Sequence, residues 1–324
     1  METVSRRTVN IGLATLASSL ATFGRLNAQG AWPTKQVNIV IGFAPGGFSD
    51  SITRQIARKL AEHWKQPVVV QNMPGAGGNI AARHVSMAAP DGYTLLSTTT
   101  GLAINETLSK DKGFSVTSLA PIAIPVAAPE LLASDPKAGI KTMADALAAA
   151  RAGKLFMGSA GIGSGSHISA EYFFRMLAKV EVKHIPFPGG NPAKMALLQG
   201  DVNIMASTST VISSIISGEL AGIAVGSEKR TTLLPNVPTY AELGYPGFTS
   251  SSWGGFFAPK GTPTSVLDAI NGAVNSALDD AESRDRFQKM GIEIKAASRV
   301  ETERYFNSEV QRWSEMVKAI GLQG

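Results

Sequence analysis

The chain has no cysteine. That excludes a disulfide framework, which a chain with a large core does not need, and it excludes a lipid carried on a thiol. No apolar run reaches the ~20 residues of a membrane span. Lysine and arginine are scattered, with no basic run of the kind that marks a nucleic-acid surface, so no nucleic-acid partner is expected. His63, His84, His167 and His184 are dispersed and lack zinc-ligand spacing, so no metal is expected. No Gly-x-Ser-x-Gly falls in register around Ser164 or Ser166.

What is present describes an ordinary globular protein. The 324 residues, 44% hydrophobic and 17% charged, suffice for two cores. The first 28 residues read as an export signal. Arg6 and Arg7 form a basic start, Val9 to Phe23 a short apolar stretch, and Leu26-Asn27-Ala28 a small-residue cleavage site. Ser5 to Asn10 partly matches a twin-arginine signal, though Val9 and Asn10 are imperfect and a Sec signal is the simpler reading. Arg6, Arg7 and Arg25 against Glu2 take part of the formal charge of +5 and leave +3 on the remainder. That is a mild bias toward anionic ligands.

Strand and helix patterns alternate along the chain, as in layered α/β proteins. Val37 to Phe43 is a continuous apolar strand, and Ile52, Ile56 and Leu60 then recur at helical spacing. The last helix carries Phe306, Val310, Trp313, Val317 and Ile320 along one face, a packing stripe. Ala120 to Pro136 and Leu233 to Pro263, rich in Pro, Gly or Ser, read as crossings between lobes. This predicts a signal peptide at 1–28, one lobe from 29–125 plus 249–324, and a second from 126–248.

One device occurs three times, a Gly-rich turn between an apolar strand and a helix. The turns run from Phe43 to Asp50, from Asn72 to Asn79, and from Gly158 to His167. Glycine lets backbone approach a ligand closely, and the following helix points unpaired N–H groups and partial positive charge at it. In the first turn, Gly46, Gly47, Phe48 and Ser49 offer ligand contacts, while Ser49 or Asp50 can also cap the helix. In the third, Ser159, Ala160, Gly161, Gly163 and Ser164 lead to His167, and a carboxylate there would accept amide and hydroxyl hydrogen bonds.

Two rival chemistries use the third turn. A dinucleotide fingerprint matches at Gly161 and Gly163, but Ser166 stands where its third glycine belongs, and export argues against it. A hydrolase would need Ser164 as nucleophile and His167 as base, only three residues apart on one turn. The simpler role for His167 is a neutral hydrogen bonder, and for His184 a satisfied sheet residue.

Taken in order, the segments resemble the extracytoplasmic solute-binding receptors of tripartite tricarboxylate transporters, the Bug family. The matching motifs include Phe43-Ala44-Pro45-Gly46-Gly47-x-x-Asp50, Asn72-x-Pro74-Gly75-Ala76-Gly77-Gly78-Asn79 and Ala89-Pro90-Asp91-Gly92-Tyr93. Gly161-x-Gly163-Ser164-x-x-His167, His184-Ile185-Pro186-Phe187, Leu234-Pro235-Asn236-Val237-Pro238 and Ala258-Pro259-x-Gly261-Thr262-Pro263 complete them. The resemblance implies a two-lobe periplasmic binding protein of type II-like α/β fold, each lobe a mixed sheet flanked by helices, with a ligand cleft between. It implies a non-enzymatic receptor without cofactor, which closes on a small organic acid and delivers it to membrane permease subunits; a monomer is the default.

By the same resemblance, the loops Ala44 to Asp50 and Ser159 to His167 grip the ligand carboxylate, partly through waters. Gly78, Asn79, Thr98 and Phe187 would border the pocket, with Ser207 at the position after Ala206. Three departures bear on the ligand. Phe48 stands where the family is usually small, Phe187-Pro188 replaces an aromatic-Lys pair, and Ala206-Ser207 replaces Phe-Asp. The missing carboxylate argues against a ligand ammonium group and points to an aromatic or otherwise apolar mono- or dicarboxylate. A receptor that serves a sensor domain is the alternative function, with an exported serine hydrolase behind it.

Overall fold

A computed structural model of the protein describes residues 32–322. The export signal and its cleavage site lie outside the described residues. From Lys35 onward the chain builds two mixed sheets with helices packed on them. The strands are β1 (Val37–Ile41), β2 (Val68–Asn72), β3 (Thr94–Thr99), β4 (Leu119–Pro129), β5 (Leu131–Ser134), β6 (Phe156–Ser159), β7 (Lys183–Pro186), β8 (Ile204–Ser207), β9 (Ala221–Val225), β10 (Ser251–Pro259) and β11 (Glu293–Ile294). The first sheet has the order β11-β4-β10-β3-β1-β2 and the second β7-β6-β8-β5-β9.

Each sheet has a parallel part whose strand ends carry the Gly-rich turns. β1 pairs parallel with both β2 and β3, so the first and second turns leave the same edge of the first sheet. β6 pairs parallel with β7 and β8, and the third turn leaves the corresponding edge of the second sheet. In open α/β sheets that edge, at the carboxyl ends of the strands, is where ligands bind.

The helices form where apolar spacing and caps agree. Phe48–Trp64 buries Ile52, Ile56 and Leu60 against the first sheet. The Met143–Arg151 helix starts with a reciprocal box, Thr142 accepting from the Asp145 amide while Asp145 accepts from the Thr142 amide. The Arg299–Ile320 helix repeats this with Ser298 and Glu301, and ends on Gly321 in the left-handed region. Its stripe is core: Phe306, Trp313, Val317 and Ile320 pack with Trp253 and Phe257. Glu309 Oε2 lies between the two indoles and accepts from Trp253 Nε1 at 2.9 Å and Trp313 Nε1 at 3.0 Å. Under the second sheet, Phe173 meets Tyr240, Tyr245 and Phe248 in an aromatic cluster.

The two stretches expected to be crossings each hold a passage between the sheets, and each also contributes strand. Leu119–Pro129 is a long strand, and Ser251–Pro259 lies beside it in the middle of the first sheet. Prolines in a strand remove ladder donors. Pro121, Pro125 and Pro129 recur every fourth residue, and register shifts between Gly254 and Phe257 accommodate the irregular pairing. Gly254 and Gly255 look like chain breakers, but close packing requires them: a Cβ at Gly255 would lie 2.9 Å from Ile124 Cγ1. The chain passes from the first sheet to the second through a single residue between β4 and β5, Glu130, and returns between β9 and β10 through residues 226–250.

Candidate ligand-binding site

In the first turn, Gly46 adopts φ 78° and Gly47 is the extended residue before the helix. Asp50 locks this shape. Its carboxylate accepts the Gly46 amide at 3.0 Å, Arg54 Nε at 3.0 Å and Asn72 Nδ2 at 2.9 Å. Burial alone would raise its pKa, but those hydrogen bonds and the Arg54 charge outweigh burial and hold it below the usual carboxylate range. Asp50 thus faces its own turn. The amide of Ala44 is also occupied, donating to the Pro188 carbonyl at 3.0 Å. Ser49 differs: its buried Oγ has no hydrogen-bond partner among the described residues.

In the third turn, Gly161 and Gly163 take φ 118° and 77°. Ser164 caps the Gly165–Tyr172 helix, its Oγ accepting the His167 amide at 3.2 Å and donating to the Gly161 carbonyl at 2.7 Å. His167 Nδ1 accepts the Gly163 amide at 3.3 Å, so that nitrogen carries no proton. The His167 ring stacks on His184 with centroids 4.0 Å apart, and His184 Nε2 meets Ser159 Oγ at 2.7 Å. Burial, then His184 and Arg175, push the His167 pKa down to about 3; burial takes His184 down to about 4. Both imidazoles are neutral near pH 7.

The first and third turns face one cavity of about 50 Å³. Gly47, Phe48 and Ser49 line it from the first turn, and Ala160, Ser164 and Gly165 from the third. Ser207 joins them from the end of β8. Three helix starts therefore point inward, at Phe48, Gly165 and Gly190. Hydroxyls dominate the polar wall, and among the described residues no lysine, arginine or histidine lines it.

The remaining predicted residues sit around this centre. Gly161 and Phe187 line an adjoining cavity of about 250 Å³ between the second and third turns, joined to the first at Phe43 and Ala160. Gly78, at φ 97°, packs on the Phe43 ring, with Asn79 buried at the start of the next helix. Thr98 is buried behind Gly78, and its neighbour Thr99 reaches the cavity instead. Gly46 opens on a neighbouring groove of about 240 Å³ with Asn191 and Lys194, which shares Gly47, Phe48 and Thr210 with the cavity. Gly163 and His167 shape the turn through their mutual hydrogen bond.

Sequence reading missed Thr99, Gly190, Thr208, Thr210 and Ser252, all of which line the cavity. Only the Gly189-Gly190 pair ahead of a helix carried a local signal of the kind used for the other turns. The turn does not form a nucleophile–base pair either, because Ser164 Oγ contacts the His167 amide and Ser166 Oγ while the His167 ring accepts from Gly163. Among the described residues no cluster of His, Asp or Glu could hold a metal ion, and no helix is long and apolar enough to cross a membrane.

Helix starts and strand-end turns from two mixed sheets, meeting at one hydroxyl-lined cavity, define a two-lobed solute-binding protein. The chain belongs to the family described as Tripartite tricarboxylate transporter family receptor, which matches residues 52–322. That is a receptor family, as the motifs implied. Protein BugT of Bordetella pertussis (strain Tohama I) is 34% identical over 96% of this chain and 98% of its own. The periplasmic binding protein BugD superposes with a TM-score of 0.86 at 31% identity, covering 90% of this chain and 99% of its own. An R. palustris protein solved with adipate gives 0.85 at 32% identity over 90% and 99% of the two chains. MatC from Rhodopseudomonas palustris, with bound malate, gives 0.84 at 31% over 88% and 100%. The α/β two-lobe fold expected from the sequence is the fold of these proteins.

Proposed function

We propose that the protein is a periplasmic receptor that captures a small organic carboxylate by closing two lobes on it and hands the acid to the permease subunits of a tripartite tricarboxylate transporter. The observation that carries this reading is Ser49, a buried hydroxyl with no hydrogen-bond partner among the described residues, at a helix start that shares a cavity with the Ser164-capped helix of the other sheet. A carboxylate bound between them accepts from both sides. The ligand favours closure because it contacts both lobes, residues 29–125 plus 249–324 and residues 126–248; equal affinity for open and closed states would shift nothing.

Neutral donors can do this without a cation. Two or three hydrogen bonds to an ionised group, at about 1.5–3 kcal/mol each, plus some apolar burial reach about −8 kcal/mol, the scale of micromolar binding. The Phe43 and Phe48 rings suit an apolar middle of the ligand. Two relatives hold dicarboxylates, adipate and malate, so a mono- or dicarboxylate of that size with an aliphatic or aromatic body is the ligand class. The protein is exported with cleavage near Ala28 and works as a monomer.

The test is a thermal-shift screen of organic acids, since ligand at 100 times Kd stabilises by about 2.7 kcal/mol. Calorimetry then follows on Gly47→Leu and Ser164→Leu. Both variants should lose the cognate acid while keeping the wild-type circular dichroism spectrum. Unchanged affinity in both would reject this placement of the site.

A further inference from the structure

The crossing residue Glu130 has no part in the grip described above. Backbone hydrogen bonds tie it in place: its amide donates to the Ser250 carbonyl at 2.9 Å, and its carbonyl accepts from the Gly226 amide at 2.7 Å. Its side chain is buried at 4% exposure. Oε1 accepts from Ser252 Oγ at 2.5 Å, and Oε2 has no hydrogen-bond partner among the described residues. Ser252 Oγ also lies 3.0 Å from Thr100 Oγ1. Ser252 and Gly165 both line the cavity, and a Cβ at Gly165 would lie 3.0 Å from Glu130 Oε1. One hydroxyl separates the carboxyl group from the cavity.

Among the described residues no cation is hydrogen-bonded to the Glu130 carboxyl group to offset a second negative charge, and Lys295 and Arg312 line a different cavity, beside Pro129 and Gly226. Among the described residues, no lysine, arginine or histidine lines the cavity wall. On the Gly165–Tyr172 helix, His167 stacks on His184 and Glu171 pairs with Arg175. Ser252 on β10 and Thr100 before the Gly101–Leu108 helix are neutral. The titratable group coupled to Glu130 is the buried Tyr240 phenol, whose pKa is raised by burial and further by Glu130. Burial pushes Glu130 itself up to about 7, opposed only by the Ser252 bond.

We propose that Glu130 takes one proton from solvent when a carboxylate fills the cavity, so that the receptor binds the acid as anion plus proton and releases both on opening. The proton sits on the carboxyl oxygen that lacks a partner. An ionised Glu130 one hydroxyl away would repel the bound anion in a poorly screened interior, and neutralising it removes that repulsion. Linkage makes the two events reciprocal: anion binding raises the proton affinity of Glu130, and protonation raises the affinity for the anion. This inference rests on the carboxylate-receptor reading above.

Isothermal titration calorimetry tests it, with malate and adipate as probes, from about pH 6 to about pH 8.5, in two buffers of different ionisation enthalpy. The wild-type protein should take up close to one proton per ligand at the alkaline end, with affinity falling up to about tenfold per pH unit above 7. Glu130→Gln, which keeps an acceptor for Ser252, should show no uptake and a flat profile, with thermal melts confirming its fold. Binding with the same pH profile in both proteins overturns the proton linkage alone. Absence of heat and thermal shift with every acid at every pH overturns the receptor reading and this inference with it.

Discussion

Acid should weaken this protein through the His167–His184 stack, by an amount the geometry sets. His167 is buried, faces the His184 ring at 4.0 Å, and accepts the Gly163 amide on Nδ1. Protonation would place a charge in the interior and break that hydrogen bond. The folded pKa of about 3 lies below the ordinary 6.5, so the native state resists a proton that the unfolded chain accepts. The contribution is complete above pH 6.5 and shrinks as pH falls toward 3. Between about pH 7.5 and 4.5 it subtracts about 3 kcal/mol from stability. Urea unfolding at both pH values should show this loss in the wild-type protein. His167→Asn keeps an acceptor near the Nδ1 position and cannot titrate, so it should lose about 3 kcal/mol less over the same range. Carboxylate titration is common to both proteins and cancels in the comparison. Parallel losses would refute the reasoning and mean that His167 charges without cost.

Other perturbations have equally definite outcomes. Glu130 has its folded pKa raised to about 7, so its ionisation destabilises the native state progressively above the unfolded value of 4.5. Glu130→Gln should therefore raise stability by about 3 kcal/mol at pH 8 and change it little at pH 4, measured by denaturant unfolding. Asp50→Ala removes the acceptor shared by Gly46, Arg54 and Asn72 and should cost about 2–3 kcal/mol, with a lowered thermal midpoint. Gly77 sits at φ 62° with the Ile162 carbonyl where a Cβ would go. Gly77→Ala should cost at least 1 kcal/mol in backbone strain and weaken carboxylate affinity beyond that by holding the second and third turns apart, a combination that melting and calorimetry would register together.

The local features were legible because they depend on residues close in sequence. Positive φ at Gly46, Gly161 and Gly163 follows from residue type and turn position. The Phe306 to Ile320 stripe follows from helical period, and the strand–turn–helix order places amides at strand ends whatever the rest of the chain does. From those turns Gly47, Phe48, Ser49, Ala160 and Ser164 do reach the cavity wall. Asp50 shows the limit of such reading. Its place in the first helical turn is local, but its commitment to Asn72, 22 residues away, is not.

What the chain order could not reveal is pairing at a distance. β10 was hidden because Gly254 and Gly255 read as a loop until β4 lies against them. Ser252 and Glu130 are 122 residues apart, and Ser159 and His184 are joined only because β6 and β7 are neighbours. Burial also gives Glu130 and His167 their shifted proton affinities, since desolvation depends on everything packed around a group. The sequence by itself determined where backbone donors would gather, through glycine conformation and helix starts. Tertiary structure alone decided which donors share a cavity and which charges lie beneath it, because contact and dielectric surroundings arise only once distant segments meet.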